Sequence, residues 1–364
     1  MEILPDLLTF NNGSNVDANN WPQRRKELAE AIIPHEFGGM PPEPKQIDIV
    51  RRANSNIRHW PGVRYVTYEI RTQFAQDKEL SLTLSLWIPS GDGPFPVLLD
   101  CDGCWRYFND NVIQNVLARG NIAASVDRTE AAADNKTEYR DTGLYRLFPD
   151  AEFGVCPAWA WAIHRCVDAL ITFPEVKTDA IAVTGHSRGG KTAILAGATD
   201  ERIAITNPNN SGIGGAGLNQ LKMEGSEVVA SFFRSGNIFW FGSEYAAHRD
   251  RDAELTYDNH YLHALVAPRG LLLTEAYEDH SANPAGTYAA AQSALKVYDL
   301  LGQKDGIGWA YRESGHAHMP EDYTALLDFM DRHLHGRDLK RDFQRKLYPE
   351  LGKILHTPQP SEST

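Results

Sequence analysis

The stretch from Ala180 to Ala198 constrains the fold more tightly than any other part of the chain. Ala180–Val183 is a short apolar run of the kind that forms a buried strand, and Ala193–Ala198 begins with helix formers. Between them stands Gly185-His186-Ser187-Arg188-Gly189, a complete G-x-S-x-G. A strand that passes straight into a helix needs a sharp turn with little room beside its central residue, and glycines two positions away on each side meet that need. Ser187 in such a turn projects its hydroxyl above the sheet, and the N-terminus of the following helix points partial positive charge at the same place. A glycine-rich turn with no chemistry carries the same letters. The strand before and the helix after it favour a nucleophile.

The rest of the chain repeats the strand-helix alternation. Tyr65–Arg71 and Leu80–Ile88 read as β, and Gly91–Pro96 makes a turn before the apolar run Val97–Leu99. Ile122–Val126, Ile203–Ile205, Leu271–Thr274 and Trp309–Tyr311 are strand-like, while Ala158–Ile171, Tyr288–Leu301 and Tyr323–Leu334 read as helices. This pattern predicts an α/β fold in three layers, a mostly parallel central sheet flanked by helices, with its chemistry in loops at the carboxyl ends of strands. At 364 residues one domain with insertions is the expectation. Residues 1–62 read as an irregular leader or flap packed on the main domain, with one helix near Trp21–Ile33 ended by Pro41-Pro42-Glu43-Pro44. Residues 63–355 form the catalytic domain and residues 356–364 a flexible tail.

Composition excludes some partners. A formal net charge of −12 without a basic run argues against nucleic acid, which requires clustered Lys and Arg. No apolar run of about 18 residues exists to cross a membrane, and Met1–Phe10 lacks the pattern of an export signal. Two addresses stay open: the cytoplasm for the chain as written, and the periplasm or exterior for one whose leader has been removed. Cys101, Cys104, Cys156 and Cys166 are too few for a disulfide framework, whether or not one pair is bridged. No second Cys pair or His cluster completes a metal site around Cys101 and Cys104, so no metal is expected.

A serine hydroxyl is inert until a base takes its proton, so an acid and then a His should follow Ser187 in the chain. After the last predicted strand stands Ser314-Gly315-His316-Ala317-His318, in which His316 is the favoured base and His318 its rival. The acid belongs just past Leu271–Thr274, where Glu275, Glu278 and Asp279 all occur. Asp279, farthest into the loop closed by Asn283-Pro284, is favoured, with Glu278 the alternative and Glu275 third.

With these residues in view, the chain resembles the glucuronoyl esterases of carbohydrate esterase family 15, which have the α/β-hydrolase fold. Their Ser-Arg-x-Gly-Lys signature is matched by Ser187-Arg188-Gly189-Gly190-Lys191. Ala158-Trp159-Ala160-Trp161, Asn210-Ser211-Gly212 with Gly214-Gly215, Asp258-Asn259-His260 through Ala267-Pro268-Arg269-Gly270, and Gly315-His316-Ala317-His318 also resemble family segments. The resemblance implies that the Arg188 backbone N–H and guanidinium hold an oxyanion, that Lys191 hydrogen-bonds a uronate sugar, and that Glu227 accepts from sugar hydroxyls. Without it, Lys191 and Glu227 read as solvated charges. Two departures stand out. Many members carry the triad Glu where this chain has Asn210, which moves the acid to the later loop, and the Trp that they tend to carry near Asp279–Pro284 is absent, with His280 and Ser281 there instead.

The implied activity is that of a serine carboxylic-ester hydrolase that cleaves uronate esters of a plant-type polysaccharide through an acyl-enzyme, without any cofactor. The alternative on the same fold is a sugar deacetylase, for which Lys191 and Glu227 would matter little. A non-catalytic carbohydrate-binding relative would have no need of Ser187, His316 and the loop carboxylates. The sequence carries no statement of oligomeric state.

Overall fold

Nine strands form one sheet in the computed structural model, which describes residues 4–338 and 340–357. They are β1 (Gln46–Asn56), β2 (Arg64–Ala75), β3 (Lys78–Ile88), β4 (Phe95–Asp100), β5 (Ile122–Val126), β6 (Val176–His186), β7 (Ile203–Asn209), β8 (Gly270–Ala276) and β9 (Ile307–Arg312). Their order across the sheet is β1-β2-β3-β5-β4-β6-β7-β8-β9. β1, β2 and β3 form an antiparallel meander, β3 also runs antiparallel to β5, and every pairing from β5 to β9 is parallel.

The short apolar runs of the central strands are buried on both faces, which is why they show no alternation of polar and apolar residues. Val97 and Leu99 of β4 and Ile181 and Val183 of β6 belong to one hydrophobic cluster, with the helices Val155–Leu170 and Arg188–Thr199. Leu98 and Ala182, one residue out of phase, belong to a second cluster with the helices Asp110–Ala118 and Pro320–His335. These two clusters are the two faces of a three-layer sandwich. Burying a Val, Leu or Ile side chain in either contributes about 1.5–3 kcal/mol.

Within residues 1–62 the structure departs from an irregular flap. The helix runs Trp21–Phe37, four residues beyond its expected end, and stops at Gly38, whose φ of 74° is left-handed and whose N–H bonds to Ile33 O and Pro34 O. Arg24 on that helix donates to the carbonyls of Asp6 at 2.8 Å and Leu7 at 3.2 Å, which ties down the preceding chain. The segment then enters the sheet as β1, an edge strand the sequence reading did not contain. β1 is mostly polar and exposed, so it lacks the apolar signal of the inner strands. Charged residues such as Arg51 and Arg52 blunt the unpaired edge. At the other end, His356 exchanges backbone bonds with Lys222, while residues 358–364 of the expected tail lie outside the described residues. No helix among the described residues is long and apolar enough to cross a membrane.

The sheet order places the site. β4 has β5 on one side and β6 on the other, so the loops leaving β4 and β6 diverge and open a crevice at their carboxyl ends. The register brings strand ends level: Asp100 pairs with Thr184, His186 with Asn209, and Asn209 with Thr274. Ser187, the loop after β8 and the loop after β9 therefore emerge along one edge of the sheet.

Candidate active site

Ser187 sits on a strained turn between β6 and the helix Arg188–Thr199, with φ 56° and ψ −118°. Holding a non-glycine residue there costs on the order of 1–3 kcal/mol, supplied by its surroundings. The Ser187 N–H donates to Asn209 O at 2.8 Å, and the His186 N–H donates to an Asp102 carboxylate oxygen at 2.6 Å. The flanking glycines are required sterically. A Cβ on Gly185 would overlap Gly189 O, and one on Gly189 would overlap the Asp102 carboxylate.

Asp279 and His316 come to this serine from two other loops. His316 Nε2 is 2.9 Å from Ser187 Oγ, and His316 Nδ1 is 2.6 Å from Asp279 Oδ2. Such a relay lets the imidazole take the hydroxyl proton while the carboxylate holds the ring and stabilises the resulting imidazolium. Asp279 is buried, and burial by itself raises its pKa. Hydrogen bonds from His316, Asn210 Nδ2 at 2.7 Å and Ser281 Oγ at 2.8 Å outweigh that and bring it down to about 2. Asn210, where many relatives were expected to carry the acid, thus donates an amide hydrogen to it.

The other candidates for acid and base lie elsewhere. Glu278 is exposed, and the carboxylate paired with His316 is that of Asp279. Glu275 is fully buried in β8, and burial together with the Asp279 charge pushes its carboxyl well above the ordinary range. His318 is buried against the Tyr323 ring, 4.1 Å between centroids, and does not reach Ser187. His186 stands between these imidazoles, its ring 4.7 Å from that of His316, and burial drives its pKa down to about 4, so it is a neutral wall.

Arg188 is half-buried beside Ser187. Its backbone N–H, at the first position of the helix, has no intrahelical acceptor. Its guanidinium donates to both Asp134 oxygens at 3.1 Å and stacks on Trp240 at 4.3 Å and Trp105 at 5.3 Å. Asp134 is shared with Arg128, which is fully buried, paired with Asp102 at 3.1 Å and sandwiched 4.5 Å from Trp105 and from Trp159. The chain Asp102–Arg128–Asp134–Arg188 connects the turn under Ser187 to the cation beside it. The sequence reading missed this chain because its members come from two separate loops, after β4 and after β5, and a helix.

Lys191 lies deeper than a solvated charge would. It is buried, and its ammonium donates to Ser211 O at 2.5 Å and Ile213 O at 2.6 Å, which uses two of its three hydrogens. Burial lowers its pKa, and the nearby Glu227 carboxylate opposes that shift. Both side chains face Gly212: a Cβ there would be 3.4 Å from Glu227 Oε2 and 3.5 Å from Lys191 Nζ. Arg312 was also missed. It binds Ser314 Oγ at 2.7 Å, Gly315 O at 3.1 Å, Ala317 O and the Asp322 carboxylate, and so fixes the loop that carries His316. All four cysteines are free thiols, and no group of three or more potential metal ligands occurs among the described residues.

The family model described as "Glucuronyl esterase, fungi" matches residues 72–302. The chain belongs to the glucuronoyl esterases. The 4-O-methyl-glucuronoyl methylesterase 1 of Wolfiporia cocos (strain MD-104) is 30% identical over 351 residues, covering 92% of this chain and 81% of the relative. Among solved structures, a carbohydrate esterase family 15 glucuronoyl esterase from Caldicellulosiruptor kristjansonii is 31% identical. It superposes with a TM-score of 0.83 over 95% of this chain and 94% of that one. The glucuronoyl esterase catalytic domain from Hypocrea jecorina superposes with a TM-score of 0.78 at 26% identity, over 99% of this chain and 97% of that one. The fold is accordingly the α/β-hydrolase fold, and this glucuronoyl esterase is a carboxylic ester hydrolase.

Proposed function

We propose that the enzyme hydrolyses esters of a glucuronate carried on a plant-type polysaccharide, with Ser187 as nucleophile, His316 as base and Asp279 as acid. The observation that carries this reading is the unbroken relay from Ser187 Oγ through His316 to Asp279, at 2.9 and 2.6 Å. The names of relatives such as the 4-O-methyl-glucuronoyl methylesterase 1 of Wolfiporia cocos support the uronate acyl group. Ser187 Oγ attacks the ester carbonyl carbon and its proton passes to His316 Nε2. The oxyanion forms against the Arg188 N–H and guanidinium, preorganised charge that needs no rearrangement during the reaction. Collapse expels the alcohol oxygen, which takes the proton from His316. Water then repeats the steps, releasing the free acid and restoring Ser187.

Lys191 and Glu227, both beside Gly212, serve the sugar hydroxyls. Lys191 also holds two backbone carbonyls, so its removal would disturb the loop as well as the substrate, and Glu227→Gln is the cleaner test. With benzyl glucuronate this variant is expected to raise KM by roughly tenfold, the value of one charge-assisted hydrogen bond. With a small acetyl ester, which has no uronate sugar, KM should hold. Equal losses on both substrates would remove Glu227 from sugar binding. His280 and Ser281 stand where a sugar-packing Trp was expected, so the acyl group itself is tested by comparing wild-type rates on benzyl glucuronate and on an acetylated sugar. Faster turnover of the acetylated sugar would replace this reading with that of a deacetylase.

A further inference from the structure

A groove of about 740 Å³ lies on the side of the β4 loop away from the triad. The loop is a shared wall. Trp105 and Tyr107 face the site, their rings 6.0 and 5.1 Å from that of His186, whereas Arg106 and Phe108, the alternate residues, line the groove. The floor is the face of β2, β3 and β5 that carries Tyr65, Ser85, Trp87 and Ser125. Register makes this a built surface: Tyr65 pairs with Trp87, and Ser85 pairs with Ser125. The two aromatic rings are 5.1 Å apart, and the Tyr65 hydroxyl is 3.2 Å from Ser85 Oγ.

The chemistry of the lining selects a class of ligand. The Tyr65–Trp87 pair is a partly exposed apolar platform beside hydroxyls that both donate and accept. Asp110, Asp127 and Glu130 add acceptors. Asp127 Oδ1 accepts from both the N–H and the hydroxyl of Thr129, and Glu130 Oε2 accepts the Thr83 N–H, so both carboxyls are fixed within the lining. Three acidic groups against the single Arg106 disfavour a polyanion. An apolar aromatic face ringed by acceptors suits a ligand with C–H faces and many hydroxyls.

We propose that this groove binds a stretch of neutral, β-linked sugar chain, the undecorated backbone of the polysaccharide that bears the ester. The groove adjoins the active site across the shared 102–109 loop, and its volume lies in the range of ordinary ligand sites. Its acidity separates it from the uronate pocket at Lys191, so the acid group and the neutral backbone occupy different surfaces. This inference rests on the proposed polysaccharide ester substrate.

The test measures binding without hydrolysis. Xylohexaose and cellohexaose, which carry no ester, are titrated into the full-length Ser187→Ala protein by calorimetry, with hexagalacturonate as the anionic comparison. At least one neutral oligomer is expected to bind, and hexagalacturonate to bind at least tenfold more weakly. Which neutral oligomer binds tells a pentose from a hexose backbone. Trp87→Ala and, independently, Ser85→Trp, which fills the groove without removing a packed ring, should each lower that affinity about tenfold or more. On the wild-type background the same changes should raise KM on polymer-borne esters far more than on benzyl glucuronate. Failure of both neutral oligomers to bind at millimolar concentration, or binding unaffected by Ser85→Trp, would overturn the proposal. So would a concentration-dependent dimer that Ser85→Trp abolishes, since the face would then belong to a second copy. An enzyme inert toward benzyl glucuronate would instead refute the substrate assignment, and oligomer binding would still be measured separately.

Discussion

Ser187→Ala is expected to lower kcat on benzyl glucuronate by at least about 10⁴-fold, because Ser187 Oγ is the atom that would bond to the acyl carbon. The loss belongs to chemistry and not to folding. Ser187 holds its place through a backbone N–H to Asn209 O at 2.8 Å, which alanine retains, and its φ of 56° strains either side chain alike. Stability should therefore change within about 0.5 kcal/mol. Arg188 and the neighbouring backbone remain, so substrate affinity measured by calorimetry should persist while turnover vanishes. A variant that keeps more than about a hundredth of wild-type activity, with background excluded, would show that another group performs the attack.

Asp279→Asn should lower kcat by about 10³–10⁴-fold, as expected when a relay carboxylate becomes an amide. The carboxylate stabilises positive charge on His316 and selects the tautomer with hydrogen on Nδ1, whereas an amide does neither. Asn210→Ala, which removes only a 2.7 Å hydrogen bond to Asp279, should cost roughly tenfold, and the exposed Glu278→Gln almost nothing. A crippling Glu278→Gln beside a mild Asp279→Asn would reassign the acid. The same carboxylate ties stability to pH. Its folded pKa of about 2 is below the ordinary 3.8, so its contribution is complete above 3.8 and is lost as pH falls through about 2. Asp279→Asn should flatten the acid limb of a melting-temperature profile in that window.

Much of this architecture was legible in one dimension because its signals are local. The strand-turn-helix around Ser187 requires glycines at 185 and 189 whatever surrounds it, and the runs Val97–Leu99 and Ile181–Val183 are apolar because both faces of their strands are covered. A base after the last strand and an acid after the one before it also follow from chain order. β1 escaped notice because an exposed edge strand is free to be polar, so burial leaves no pattern on it. Sequence alone left Glu275, Glu278 and Asp279 as candidates within five residues of one another, and only their surroundings separate them. The strand keeps Glu275 in the core, the turn leaves Glu278 in solvent, and Asp279 alone meets His316, Asn210 and Ser281. The ion-pair chain through Arg128 and Asp134, the anchoring of Lys191 on the 211–213 carbonyls and the Arg312 clamp also arose only in three dimensions. Each joins residues that are distant in sequence or set in irregular loops, where no periodicity records a contact, so the sheet order that brought their loops to one edge decided them.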